Sequence, residues 1–395
     1  MKWITVITVF HFFLFLDRNS IINKFFPIME SQSSLLKLTA GLVITTLTLA
    51  IMVVGKPFLV PLAWALLIGL ASYKFLNRLE EKTIMPRRLI NVLFLLFILL
   101  VIISIAYFFY IELNIIFDDL PALAGKMSER LHEISVRLAA IGIHIPDHID
   151  KAFINDWVNE HNELIMGFIS GVGINLWNVI LIMFYLFFLL YYRDLVIHFY
   201  VKKFKSKERL DLAVDRFNKT LVLVRSYIYG LTLLTLISAV MNYLVFLVFG
   251  LKFALFWAVF LAILNLVPFI GNPIGLVVIM LFAIVTKDNL LVPLLIFIAL
   301  FIMNFLQDNV IRPWIVGDKI KLNAFAVFIA IILGGMIWGV SGMILFIPIV
   351  GVVKIILESR KDSGVYAIFF SEIPKTEKSP VKMPEVDDEE ENLVP

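Results

Sequence analysis

The chain has 395 residues, of which 61% are hydrophobic and only 16% are charged. Ordinary soluble domains are roughly 45–50% apolar and about 25% charged, so this composition excludes a water-soluble globular fold. The formal net charge is +3 with the basic residues scattered between apolar segments, which argues against a nucleic-acid partner, and the absence of cysteine excludes disulfides, thiolate metal sites and cysteine nucleophiles.

An apolar run from Trp3 to Leu16 opens the sequence, but it is shorter than a membrane span and lacks a small-residue cleavage site. We therefore interpret residues 1–28 as a doubtful N-terminal extension and expect translation to begin at Met29.

Eight hydrophobic segments follow, and a transmembrane helix needs about 20 apolar residues. They cover residues 38–54, 58–73, 89–111, 174–192, 221–249, 253–285, 290–311 and 325–357. The sequence thus predicts an all-α integral membrane protein built as a multi-span helical bundle.

Loop charges predict how these segments cross the bilayer. The basic residues within 74–88 and 193–219 place both loops in the cytoplasm, and the acid-rich loop 112–167 is then external. If every later segment crossed once, Arg312 and the lysines that follow it would fall outside, where positive charge is disfavoured.

Re-entrant hairpins remove this conflict. Segments 253–285 and 325–357 are longer than a tilted helix requires, and glycine and proline interrupt both, so we expect two broken helical hairpins. A span plus a hairpin, repeated upside down, gives an inverted repeat of the kind found in transporters. Eight plain spans remain the alternative.

The chain divides into six regions on this interpretation. In the external region, apolar residues recur every three or four positions, which predicts an amphipathic helix that packs on the same chain, on the bilayer or on another subunit. The regions are the doubtful extension 1–28, an N-terminal three-span region 29–111, the external amphipathic segment 112–168, a fourth span with a basic cytoplasmic helix 169–220, a transport core with broken helices 221–358, and an acidic disordered cytoplasmic tail 359–395.

Residues 265–275 form the first candidate transport site. Two prolines remove backbone donors there, and glycines loosen the backbone, so the stretch cannot form an uninterrupted helix. The freed carbonyl and amide groups can bind an ion or a polar solute, although a plain kink in a packed bundle is the competing explanation. The candidate residues are Asn265, Pro268, Gly271, Asn272, Pro273 and Gly275.

A second group of polar residues ends the segment 290–311, namely Asn304, Gln307, Asp308, Asn309 and Arg312. Asp308 and Arg312 are four residues apart, so on a helix they share a face and can pair. Ionisable groups at membrane depth are costly and are candidates for function, whereas an ordinary interfacial ion pair is the alternative. The last segment adds glycines that suit a hairpin tip or close helix packing, at Gly334, Gly335, Gly339 and Gly342.

Signals for an enzyme are poor. None of the six histidines lies in the broken segments, and Pro146 interrupts the helical spacing of His144 and His148. The sequence contains no phosphate-binding loop of the Walker type, so transport driven by ATP through this chain alone is not expected. We predict no enzymatic activity, no metal and no cofactor.

The sequence also resembles the autoinducer-2 exporter family of permeases, also called PerM-like, from about residue 35 to residue 358. Two stretches carry the resemblance. They are Gly250-Leu251 with Ala254-Leu255 and the run Val267-Pro268-Phe269-Ile270-Gly271 with Pro273 and Gly275, and then residues 309–317, which include Pro313, with Gly334, Gly335, Gly339, Gly342, Pro348 and Lys354. The sequence departs from the family pattern at Asn323 and near residues 75–77, which touches loop geometry more than the candidate site.

The resemblance implies a homo-oligomeric secondary transporter in the bacterial inner membrane, with a cytoplasmic C-terminus. Family members are associated with export of the quorum-sensing signal autoinducer-2 and others with sodium-proton antiport, so the cargo is a small polar solute, or sodium and protons. Asparagine and glutamine side chains suit a polyol-like solute, whereas a cation coupled to protons requires Asp308. A membrane scaffold without transport is a third hypothesis.

Overall fold

The structure is a computed structural model that describes residues 34–119, 176–193, 206–267, 270–316, 322–358 and 369–371, with scattered helical residues from 123 to 136 and from 195 to 202. The predictions for residues 1–28, for most of the external segment 112–168 and for most of the tail 359–395 lie outside these residues.

Helices form every regular element of the described chain. Five of them are long and apolar enough to cross a membrane, and shorter apolar helices accompany them. This confirms the predicted all-α membrane fold. The helices are α1 (Ser34–Val54), α2 (Lys56–Lys82), α3 (Arg87–Asp118), α4 (Leu176–Tyr191), α5 (Lys207–Val248), α6 (Ala254–Leu264), α7 (Gly271–Thr286), α8 (Leu291–Leu306), a π-helical turn (Gln307–Ile311), α9 (Arg312–Val316), α10 (Ala324–Trp338) and α11 (Val340–Glu358).

Two groups of polar contacts mark the opposite ends of the bundle. At one end, which we call the Glu80 end, Glu80 pairs with Arg193 at 3.0 Å and with Arg87 at 3.5 Å, joining the end of α2 to the region after α4 and to the start of α3. At the other, the Lys252 end, Lys252 pairs with Asp119 just after α3. Because α5 runs from Lys207 to Val248, just before Lys252, it is antiparallel to α2.

Helices α6 and α7 form the first hairpin. The Lys287 ammonium donates to the Gly250 carbonyl, so the chain enters and leaves the hairpin at the Lys252 end. With 11 residues, α6 is about 17 Å long at 1.5 Å per residue, well short of the roughly 30 Å hydrocarbon core. The break between α6 and α7 contains fewer residues than the sequence suggested, because Pro273 lies in the first turn of α7. Backbone N–H groups of a first turn have no partner within the helix, so proline is tolerated there.

Helices α10 and α11 form the second hairpin, and they turn at a single residue. Gly339 has a φ of +65°, a conformation that residues with a Cβ rarely adopt. The sequence placed the bend across residues 334–342, whereas Gly334 and Gly335 belong to α10 and Gly342 belongs to α11. Glycines inside the helices serve close packing instead.

Candidate functional site

The first broken hairpin meets the π-helical turn through two amide side chains. The Asn265 side-chain amide lies 3.4 Å from the Gln307 side-chain oxygen, and the Gln307 amide nitrogen lies 4.0 Å from the Met241 sulfur of α5. Gln307 is 4% exposed, which makes it one of the few buried polar residues of the described chain. Of the residues selected from the sequence, the structure therefore brings Asn265 and Gln307 together.

A π-helical turn begins at Gln307. The Arg312 backbone N–H donates to the Gln307 carbonyl five residues earlier, so one extra residue is accommodated between α8 and α9. Such turns are rare and frequently occur at functional sites. Gln307 itself continues the buried face of α8 that carries Ile296 and Leu300, while its neighbours Asp308 and Asn309 are exposed.

The second hairpin approaches the same region through an apolar cluster. Leu266, directly after Asn265, packs against a buried cluster that includes Tyr227 of α5 and Ile344 of α11. The Tyr227 hydroxyl donates to the Ile344 carbonyl at 2.8 Å. Pro348 cannot supply the helical N–H that this carbonyl would otherwise accept, and the Tyr227 hydroxyl takes its place. Both broken hairpins are thus fixed against one face of α5.

Other parts of the chain pack closely against several of the selected glycines. A Cβ built on Gly334 would lie 2.3 Å from the Gly342 carbonyl oxygen, and one on Gly342 would lie 1.9 Å from the Gly334 oxygen. A Cβ built on Gly271 would lie 1.7 Å from the Leu264 carbonyl oxygen. Gly275 and Gly335 face the side chains of Leu261 and Met343. These contacts correspond to close helix packing, one of the explanations that the sequence left open.

The remaining candidates are spread around the contact between Asn265 and Gln307. Asp308 and Arg312 form an ion pair at 2.9 Å with about half of each side chain exposed, and the Asn309 side chain donates to the Phe305 carbonyl of its own helix. Asn272 is half-buried, with its side-chain oxygen inside the protein, and Asn304 and Pro273 lie on α8 and α7. Pro268 and the side chain of Pro313 lie outside the described residues.

Two cavities occur at the Lys252 end rather than at the helix breaks. One of about 590 Å³ is lined mainly by charged residues of the segment after α3 and by Asp288, and one of about 120 Å³ lies beside Gly250 and Lys252. Arg130 bridges the first cavity with an ion pair to Asp288 at 3.1 Å. Neither of these two cavities is lined by the selected site residues.

Sequence reasoning missed three contributors to the junction, namely Tyr227, Met241 and the π-helical turn. A usable signal for Tyr227 is a tyrosine in one apolar span together with a proline in another. The proline leaves a carbonyl that needs a donor, and the tyrosine hydroxyl can supply it. Met241 carries no comparable signal because methionine is common in apolar helices. The π-helical turn depends on packing between α8, α9 and α5, which local sequence does not reveal.

Known relatives agree with the membrane fold. A protein of Haemophilus influenzae named "Putative transport protein" is 22% identical over 87% of this chain and 99% of its own length, and Bacillus subtilis YrrI, which carries the same description, is 33% identical over 33% of the chain and 36% of its own length. The AI-2 transport protein TqsA of Escherichia coli is 24% identical over 38% of the chain and 44% of its own length. The family profile described as AI-2E family transporter matches residues 42–361. The chain therefore belongs to the AI-2E family of membrane transporters.

Proposed function

We propose that the protein is a gradient-driven transporter that exports a small polar solute past the junction of its two broken hairpins. One observation carries this proposal: Asn265, where α6 ends, meets buried Gln307 in the π-helical turn. Carboxamides at helix breaks can exchange hydrogen bonds with hydroxyl and carbonyl groups of a solute. Irregular backbone at membrane depth is tolerated where protein or a water-filled cavity satisfies it, and transporters use such breaks as binding sites.

Autoinducer-2 is the first solute to test, because the relative TqsA is named for its transport. A small polar molecule of this kind offers several donors and acceptors to Asn265 and Gln307. Liposomes that contain the purified protein should release autoinducer-2 when a sodium or proton gradient is imposed across their membrane. A screen that includes other small polar solutes and cations, each with and without the gradients, tests the proposal, and flux of none of them would favour the scaffold hypothesis.

Sodium-proton antiport is the second candidate, and Asp308 distinguishes the two. Its carboxylate is paired with Arg312 at 2.9 Å and more than half exposed, so its charge is already balanced by a neighbour. We therefore expect Asp308→Asn to change solute export less than about fivefold, since exposed ion pairs contribute about 0–1 kcal/mol. Sodium-dependent acidification of liposomes measures the alternative: its loss in Asp308→Asn, with solute export retained, would favour antiport.

We propose that both hairpins are re-entrant, that they form an inverted repeat, and that the C-terminus is cytoplasmic in the bacterial inner membrane. The hydrogen bond between Lys287 and the Gly250 carbonyl supports a hairpin that returns to the side from which it enters. In this arrangement the basic Glu80 end is cytoplasmic, as the positive-inside rule requires. Homo-oligomerisation in the bilayer is a further part of the proposal.

Labelling of single cysteines tests this topology in a chain that has none of its own. In intact cells, an impermeant thiol reagent should modify Lys287→Cys and should reach Lys319→Cys only after the membrane is opened. Eight plain spans require the reverse pattern. Asp288→Cys, next to Lys287 at the Lys252 end, serves as a control that keeps the Lys287 contact with Gly250.

A further inference from the structure

We propose that residues 369–371, which we call the tail segment, form an autoinhibitory contact that holds the second hairpin closed and must leave before a solute passes the junction. This inference rests on the proposed function and adds the regulation of the same site. The tail segment follows the end of α11 at Glu358 and belongs to neither hairpin. Its contacts with the start of α10 are therefore additional to those that build the junction.

Asn323 binds the tail segment through three hydrogen bonds. Its side-chain amide donates to the Phe369 carbonyl at 2.7 Å and to the Ser371 carbonyl at 3.1 Å. Its backbone N–H donates to the Phe370 carbonyl at 3.1 Å. The side-chain oxygen of Asn323 accepts the Ala326 N–H at 2.7 Å and so caps α10. The residue that starts the second hairpin thus also binds three consecutive carbonyls of the tail segment.

The two phenylalanines of the tail segment supply apolar contacts. Phe369 is 61% exposed, and its ring meets that of Phe325 of α10 edge-on, with the centroids 5.9 Å apart. Phe370 is half-buried and packs against the cluster around Tyr227. Leu266, in the break of the first hairpin, packs against the same cluster. The tail segment therefore shares one apolar cluster with both broken hairpins.

Helix packing places the tail segment at the open end of the second hairpin. Gly334 of α10 lies against Gly342 of α11, so antiparallel α10 begins beside the C-terminal half of α11. Gly351 in that half faces the Leu223 side chain of α5. Leu223 is about 6 Å from Tyr227 along α5, toward the proposed cytoplasmic end, at 1.5 Å per residue. The tail segment thus lies on the side from which an exported solute enters.

Contacts of this kind oppose the movement that transport needs. In transporters built from broken helices, one repeat moves against the other to open the site. The tail segment fixes the start of α10 and so stabilises the conformation in which α10 and α11 are closely packed. Three hydrogen bonds, each worth roughly fivefold in an equilibrium, favour the docked state by about a hundredfold before the cost of ordering the tail segment is subtracted. Such a contact is strong enough to inhibit and weak enough to reverse.

A single thiol at Leu266→Cys measures access to the junction without knowledge of the natural solute, because the chain has no cysteine of its own. We compare the rate at which a water-soluble maleimide modifies it in the parent and in Asn323→Asp. Aspartate keeps the cap on α10 but loses both side-chain donors to the tail segment. We expect the rate to rise about five- to twenty-five-fold in Asn323→Asp, and also to rise in Phe370→Ala, which leaves Asn323 unchanged.

Two controls accompany this experiment. Asn289→Asp makes the same chemical change beside α8, where the Asn289 side-chain oxygen accepts the Leu291 N–H, and it should leave the rate unchanged. A thiol at Ile84→Cys, in the fully exposed connection between α2 and α3, should react equally fast in every background. A Leu266→Cys rate that ignores both Asn323→Asp and Phe370→Ala, or a thiol that the maleimide reaches in no background, overturns the inference.

A disulfide that holds the tail segment in place tests the converse. The double variant Phe325→Cys with Phe369→Cys replaces the two rings that meet at 5.9 Å, and copper phenanthroline oxidises the pair. We expect the disulfide to lower autoinducer-2 flux from liposomes at least tenfold and a reductant to restore it, while the cysteine-free parent ignores both reagents. Failure of the disulfide to form, or full flux after it has formed, contradicts the proposed contact.

The outcomes separate this inference from the proposed function. If solute flux requires Gln307 while neither the flux nor the Leu266→Cys rate responds to the tail segment, the transporter stands and the autoinhibitory contact falls. If the rate responds to the tail segment while none of the screened solutes moves, the contact stands as a cover of the junction and the transport proposal falls.

Discussion

Replacement of Gly342 by leucine is expected to prevent folding of the second hairpin and to abolish the yield of monodisperse protein. A Cβ at this position would lie 1.9 Å from the Gly334 carbonyl oxygen, and the Trp338 Cβ is 2.9 Å away. Overpacking against movable side chains costs about 1–3 kcal/mol, and a backbone carbonyl inside a helix cannot move aside as a side chain does. We expect Gly342→Ala to lower stability by more than about 3 kcal/mol.

Gly41 provides the matched control for this experiment. It also lies within an apolar helix, but a Cβ built on it meets nothing within 4 Å. Gly41→Ala should therefore leave the protein as stable as the parent or raise its stability by about 0.5–1 kcal/mol, because alanine has the higher helix propensity. Thermal unfolding in detergent compares the two alanine variants. Equal melting temperatures for them would contradict the packing found between α10 and α11.

The composition and the apolar segments were sufficient to predict the fold class. Uninterrupted apolar runs gave α3 and α5, and glycine and proline located the breaks between α6 and α7 and between α10 and α11. The exact turns were not predictable. Pro273 is tolerated in the first turn of α7, and Gly334 lies within α10, where it allows close packing on Gly342 of α11. Whether the hairpins are re-entrant and related by an inverted repeat stays a prediction.

The candidate site was less accessible to sequence reasoning. Carboxamides in apolar segments identified Asn265 and Gln307 separately, but their contact joins residues that are 42 positions apart. Gln307 faces inward because it continues the buried face of α8, seven residues after Leu300, and Asn309, two residues later, faces outward.

Gln307→Leu is expected to reduce transport by about ten- to a hundredfold while the protein still folds. Leucine has a similar size but offers no hydrogen bond, and the Asn265 amide then loses its acceptor across the junction. A missing partner for a buried polar group costs about 1–3 kcal/mol, and every 1.4 kcal/mol corresponds to a factor of ten. Export of autoinducer-2 from liposomes, with unfolding temperature recorded in parallel, measures the two effects separately.

Asn309 supplies the control, two residues away in the same turn. Its side chain is exposed and donates to the Phe305 carbonyl of its own helix, so Asn309→Leu should leave transport within about twofold of the parent. Gln307→Glu gives a further distinction, because it keeps an acceptor for Asn265 but adds a negative charge near the proposed path of the solute. Equal transport by the parent, Gln307→Leu and Asn309→Leu would mean that the solute passes elsewhere, since a buried amide on its path cannot be removed without altering the hydrogen bonds available at the junction.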